Sequence, residues 1–238
     1  MMQPMQIPLT RKEEAVQEAF IKAIFVAKRK TEEPLVISLA GLVGAGKSSV
    51  AEELSKYLGA TILFGDDIRV ALRKQKLGFA NASLIRSNVI RTIIDKGGVA
   101  IVDADTVEAQ RREEMKQLAR RLGVRHFFIR VYADPDVMVG RMISASHKNS
   151  LDDFFGGALS RWNGKQSLKG AIVKIREMWR RTPHHYSWNS ENGGQWIFKS
   201  MSFPIFAAID TTDERKWKRD VAMLAGKLLK TKSLVVSE

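Results

Sequence analysis

Residues 35–58 read LVISLAGLVGAGKSSVAEELSKYL. Leu35 to Ala40 are apolar except Ser38, with the length and β-branched character of a buried strand. Gly41 to Ser48 then match G-x-x-x-x-G-K-[ST] at every fixed position. Beyond them Val50, Ala51, Leu54, Tyr57 and Leu58 recur at helical spacing, and Gly59 predicts the stop. A loop that wraps phosphates must aim successive backbone N–H groups inward, which needs open φ/ψ space and no β-carbons in the way. The phosphates then sit at a helix N-terminus, where free N–H groups and the dipole favour negative charge. Lys47 is expected to reach the β/γ-phosphates and the Ser48 hydroxyl to ligate Mg²⁺. The stretch therefore predicts a nucleotide-binding P-loop, with Gly41, Gly44, Ala45, Gly46, Lys47, Ser48 and Ser49 around the nucleotide.

Working outward, helical spacing over residues 10–30 predicts a leading helix, and Thr10 with Glu13 forms a capping box. Residues 60–64 read as a second strand, followed at once by Asp66-Asp67-Ile68-Arg69 opening a helix. Asn81-Ala82-Ser83 opens another, closed by Gly97-Gly98. Residues 99–103 form a buried strand ending on Asp103, residues 107–122 a basic helix, and residues 125–133 a fourth strand. Asp134-Pro135 starts the next helix, residues 205–210 make a fifth strand, and residues 212–229 a last helix. Strands alternating with helices predict a parallel five-stranded sheet covered on both faces, a three-layer α/β sandwich of the P-loop NTPase, nucleoside-kinase-like type. Ligands then gather at the carboxyl ends of the strands, where the P-loop, Asp66 and Asp103 all fall.

The expected organisation is an N-terminal helix over 1–34, a core over 35–145, an insertion over 146–202 and a last strand and helix over 203–238. In the insertion the alternation lapses into Gly, Asn, Ser, His and aromatics, with one amphipathic helix over 169–181, as in a lid or acceptor-binding element.

The chain has 238 residues, 45% hydrophobic and 27% charged, as in a soluble globular protein. No apolar run approaches the ~20 residues of a membrane span, and the N-terminal residues lack a signal-peptide core. With no cysteine, disulfides, thiolate metal sites and thiol catalysis are excluded, and a cytoplasmic setting is expected. The net charge of +13 points to anionic partners, either nucleic acid or phosphorylated small molecules.

Asp103, ending an apolar strand, is the expected Mg²⁺-organising carboxylate, with Asp105 two residues on as a second candidate. Asp66 and Arg69, one helical turn apart at a strand's end, can address one substrate, the carboxylate taking a hydroxyl proton and the guanidinium holding an anion. Either Asp66 or Asp67 also serves as a plain helix cap.

At GLVGAGKS, GDDIR and VAIVDAD the chain resembles the small P-loop kinases of the polynucleotide 5′-kinase and zeta-toxin type. The resemblance covers about residues 35–145 and is specific for phosphoryl transfer. It implies that Asp66 is the general base, that Arg69 binds the acceptor, and that Arg141 is a lid arginine closing over the transferring phosphoryl group. The family's third strand ends D-x-T-N, whereas here Asp103-Ala104-Asp105-Thr106 is followed by Val107. The implied reaction is transfer of the γ-phosphoryl group of ATP, with Mg²⁺, to a hydroxyl, the leading acceptor being a nucleic-acid 5′-hydroxyl. A small nucleotide, sugar or antibiotic hydroxyl is the alternative, as is an NTPase switch that binds nucleic acid.

The insertion adds Arg161, Lys165, Lys169, Lys174, Arg176, Arg180 and Arg181 interleaved with Trp162, Trp179 and Trp188, the composition of a single-strand-binding surface. A solvated amphipathic helix over buried tryptophans is the plainer reading. His184-His185 has no third ligand nearby in sequence and does not make a metal site.

Overall fold

The structure, a computed structural model, describes residues 8–104, 106, 108–144 and 167–230. Its five-stranded sheet is wholly parallel. The strands are β1 (Leu35–Ala40), β2 (Ala60–Phe64), β3 (Val99–Asp103), β4 (Arg125–Tyr132) and β7 (Ala207–Asp210), in the order β2-β3-β1-β4-β7. Central β1 is buried along its whole length, as a strand covered on both faces must be. Leu35, Ile37 and Leu39 pack with α2 (Lys47–Leu58) and α8 (Glu214–Leu229), while Val36 belongs to the opposite layer. That layer contains α1 (Arg11–Ala23), α3 (Gly65–Lys74), α4 (Ala82–Asp95) and α5 (Ala109–Arg121). The three-layer sandwich and its parallel sheet are as expected. No helix among the described residues is long and apolar enough to cross a membrane.

The structure corrects several element boundaries. The leading helix stops at Ala23, where the chain turns extended at Ile24. Residues 24–30 instead lie against α2 and β2, with the Ala27 N–H donating to Thr61 Oγ1 at 3.1 Å and the Lys30 N–H to the Leu58 carbonyl at 2.8 Å. The capping box of Thr10 and Glu13 is present. Asn81 precedes α4 but makes no side-chain cap; its amide donates to Glu13 across the layer at 3.1 Å.

The insertion holds α7 (Ser167–Arg181) and a hairpin the sequence did not reveal, β5 (Tyr186–Asn189) against β6 (Gln195–Phe198). Residues 145–166, with Arg161, Trp162 and Lys165, lie outside the described residues, as do Asp105 and Val107. Buried Arg130 ties the hairpin to the sheet: its guanidinium stacks 3.3 Å from the Phe198 ring centroid and donates to the carbonyls of His185 and Lys199. Met178 of α7 and Tyr186 of β5 pack with Leu42 and Ala45 of the P-loop and with Met138 and Met142 of α6 (Pro135–Ser144). The insertion is thus fastened directly behind the phosphate-binding loop.

Candidate active site

The P-loop bridges β1 and α2. Gly46, at φ 81°, adopts a left-handed conformation costly to any residue with a β-carbon. At Gly41 a β-carbon would lie 2.1 Å from the Val131 carbonyl oxygen, so β4 passes too close for anything but glycine. Behind the loop, buried Thr211, just past β7, donates through Oγ1 to the Ala45 carbonyl at 2.9 Å. A trans peptide sets its N–H opposite its carbonyl, so this bond turns the Gly46 N–H the other way. Arg141 of α6 joins the same brace, donating to Thr211 Oγ1 at 3.0 Å and to the Gly44 carbonyl at 3.3 Å.

In front of the loop is a cleft of about 530 Å³ at the carboxyl ends of the strands. Gly44, Gly46, Lys47, Ser48, Ser49, Asp66, Arg69, Asp103 and Arg141 all line it, so most of the residues singled out in the sequence converge there. Gly41 and Ala45 are buried and shape the loop from behind. Lys47 lies along the loop, its ammonium donating to the carbonyls of Gly41 and Leu42 at 2.9 and 3.0 Å. The Ser48 hydroxyl donates to Asp103 Oδ2 at 2.6 Å.

Two oxygens held together next to a phosphate nest suit Mg²⁺, which keeps several waters and takes only one or two protein ligands beside phosphate oxygens. No group of three His, Cys, Asp or Glu that could hold a metal occurs among the described residues.

Asp66 lies at the centre of the cleft. Its carboxyl is held above the usual carboxylate range by burial, partly offset by Arg69 and Lys47, with Asp103 pushing the same way as burial. Over half of its side-chain surface is reachable from the cleft, but the concave walls still deprive it of bulk solvation. Arg69 approaches it at 3.6 Å. Neighbouring Asp67 is also raised, by burial and then by the charges of Asp66 and Asp103.

The cleft also has a cationic wall, of which the sequence pointed to Arg69, Lys174 and Arg181 but not to Arg86 or Arg111. Arg86 of α4, Arg111 of α5 and Lys174 and Arg181 of α7 line the cleft with Arg69. Burial first, then Arg111, pushes the Arg86 guanidinium down to about 10. Arg69 is lowered by burial, with Arg111 and Arg181 both repelling it. Arg86 donates to Ser83 Oγ at 3.2 Å, while its buried Nε has no partner among the described residues. Arg181 donates to Glu177, which also holds Arg180. Arg69, Arg86 and Arg111 also line a second polar chamber of about 280 Å³ with Glu108, which pairs with Arg111 at 3.0 Å, and Glu114, which accepts from Ser83 at 2.8 Å.

A signal for Arg86 was available. It falls within the helical arc of Ile85, Val89, Ile90 and Ile93, a charge in the middle of an apolar face. On α7, Lys174, Glu177 and Arg181 share the face turned to the cleft. Trp179 lies two residues past Glu177, about 200° round the helix, and contacts Trp196 of the hairpin instead (ring centroids 5.5 Å).

Residues 36–152 match the family model described as an AAA domain, a span just short of half the chain. The bifunctional enzyme NodQ of Rhizobium sp. (strain N33) is 34% identical over 119 residues, which cover 45% of this chain and 18% of that protein. The chain thus spans less than a fifth of the length of the curated relative it matches. In three dimensions a protein of Chloroflexus aurantiacus, crystallised as a candidate kinase, superposes with a TM-score of 0.54 at 18% identity, over 84% of this chain and 100% of that one. The crystal structure of APE1195 superposes with a TM-score of 0.51 at 17% identity, over 84% and 97%. The fold is that of the P-loop NTPases. At these identities the likeness speaks for the architecture, and the chemistry rests on the cleft itself.

Proposed function

We propose that this protein is a kinase that transfers the γ-phosphoryl group of ATP to a hydroxyl on a small anionic acceptor. One observation carries the reading: Asp66 stands between a phosphate-binding half, Lys47 with Ser48 and Asp103, and a cationic half, Arg69, Arg86, Arg111 and Arg181. In the reaction the acceptor oxygen forms a bond to the γ-phosphorus, and the bond from that phosphorus to the bridging oxygen of ADP breaks. Asp66 takes the hydroxyl proton; a carboxyl raised above its usual range is better matched to that task than an ordinary one. Lys47 and the backbone N–H groups of the loop stabilise charge on the transferring group. Ser48 and Asp103 would hold Mg²⁺ beside the nucleotide, where it would supply neutralisation of phosphate charge.

Several guanidinium groups facing one cleft favour an anion there, and each offers the fork that grips carboxylate, phosphate or sulfate. Arg111 already shares its charge with Glu108 at 3.0 Å and Arg181 with Glu177 at 2.6 Å, which leaves Arg69 and Arg86 as the main anion-binding pair. A compact anion satisfies them within an enclosed cleft. The polynucleotide 5′-hydroxyl implied by the family resemblance has less support, because Trp179 turns away from the cleft and Arg180 is neutralised by Glu177. Arg141 as a closing lid arginine belongs to the same proposal; its bonds to Thr211 and Gly44 support a role in bracing the loop as well.

The test is ATP labelled in the γ-phosphoryl group, offered with hydroxy compounds bearing a carboxylate, phosphate or sulfate, with neutral sugars, and with 5′-hydroxyl oligonucleotides. Labelled product from the anionic small molecules is the expected result. Labelled oligonucleotide would restore the polynucleotide reading, and phosphate release without any labelled organic product would make the protein an NTPase switch.

A further inference from the structure

A second cavity lies at the other end of the sheet, at the amino ends of the strands and away from the cleft. It has a volume of about 490 Å³ and is bounded by the C-terminal half of α5, the first residues of β4 and the segment leading into β7. Its origin is a register effect. Strand β7 begins opposite Ile129, so the first half of β4 has no strand on that side. The last link is the Phe206 N–H donating to the Phe128 carbonyl at 2.8 Å. Two residues earlier stands Pro204, which has no N–H to extend the ladder, and the chain leaves the strand edge open.

Aromatic side chains from both faces of the sheet meet at this open edge: Phe128 on the face of α5, and Phe127 with Phe206 on the other (ring centroids 4.5 Å), Phe206 being 40% exposed. Among the described residues the ionisable groups lining it are Lys116, Arg120 and His126, and exposed Arg120 also lies 4.0 Å from Glu113. His126 is neutral near pH 7, its imidazole pushed down to about 4 by burial and then by Lys116, and it is bonded to Ser38 at 2.8 Å. The working charges are therefore the two cations of α5. An open recess of this size, apolar with a few cationic groups at its rim, has room for a small molecule.

We propose that this cavity binds a small amphipathic anion, a flat apolar body carrying one carboxylate-type group, with the body on the phenylalanine rings and the acid at Lys116 and Arg120. The proposal is independent of the kinase reading, since neither cation lines the cleft.

The probe is anilinonaphthalene sulfonate, which has this chemistry and fluoresces on burial, compared with neutral phenylnaphthylamine. The full-length protein is used with its cleft saturated by a non-hydrolysable ATP analogue and Mg²⁺. Lys116→Glu with Arg120→Glu should weaken the sulfonate by about ten-fold or more, the loss of two partly exposed charge contacts and their reversal, and leave the neutral probe unchanged. Phe206→Ala should weaken both probes. Retained affinity for the ATP analogue shows that each variant is folded. Unchanged sulfonate affinity in both variants, or displacement of the sulfonate by the ATP analogue, overturns the proposal.

Discussion

Arg86→Met separates a binding role from a structural one, because the two predict opposite signs. In the wild type, burial and the neighbouring Arg111 and Arg69 lower Arg86 from 12.5 to about 10. At 1.36 kcal/mol per unit, roughly 3 kcal/mol is set against the charged guanidinium. Methionine has similar reach, carries no charge and suits an apolar helix face, so the melting temperature should hold or rise, by about 2–4 °C per kcal/mol recovered in a chain this long. An anion in the cleft reverses the balance. Losing a charge-assisted hydrogen bond of about 1.5–3 kcal/mol should weaken acceptor binding by roughly ten- to a hundred-fold. Sulfate can stand in for the acceptor's anionic group. With the P-loop filled by a non-hydrolysable ATP analogue, sulfate should raise the melting temperature of the wild type and much less that of Arg86→Met. Affinity for the analogue itself should not change. A variant that melts well below the wild type yet gains as much from sulfate would refute the argument and make Arg86 a structural support of Ser83, which links α4 to Glu114 of α5.

Lys47→Ala removes the ammonium of the phosphate nest, so turnover should fall by orders of magnitude while melting is little altered; full activity in the purified variant would end the P-loop reading. Asp66→Asn keeps shape but cannot take a proton, so kcat should collapse with ATP affinity nearly intact; if Asp67→Asn is the damaging change, the base is the next residue. In the wild type the acid limb of kcat against pH should report a group above the ordinary carboxylate value, since burial raises Asp66. His126 gives a pH dependence of stability. It is lowered from 6.5 to about 4 in the fold, so as the pH falls the unfolded chain takes up the proton first. Stability is therefore full above about 6.5 and is lost between there and about 4, by up to roughly 3 kcal/mol. His126→Gln should flatten that limb in urea melts at stepped pH, and an unchanged limb would assign it to other groups.

The donor half of the site was legible because a phosphate nest has a fixed local grammar. Gly41, Gly44, Gly46, Lys47 and Ser48 lie within eight residues, and backbone geometry permits few alternatives at those positions. Asp66 and Asp103 were legible because one closely follows a strand and the other ends one, and parallel strands end at one edge. The acceptor half comes from α3, α4, α5 and α7, whose arginines are scattered over more than a hundred residues and meet only through packing. Cationic surplus on α7 was read as a stripe for a polyanion. The helix instead splits it, with Lys174 and Arg181 toward the cleft and Arg180 held by Glu177. The hairpin of β5 and β6 escaped because its strands are four residues each and its anchor is buried Arg130, far away in sequence.

The cleft's two halves are drawn from almost separate stretches of chain. In the proposed reaction the loop, its brace at Thr211 and Arg141, and the Ser48–Asp103 pair would serve the donor, while most of the guanidiniums across the cleft hang on helices that contribute nothing to that brace. Such a division lets one side drift while the other stands still. A lineage could trade arginines on α4, α5 and α7 and move from one acceptor to another without relearning how to hold a triphosphate. An engineer could do the same, redrawing those three helix faces as a cassette and leaving the loop untouched.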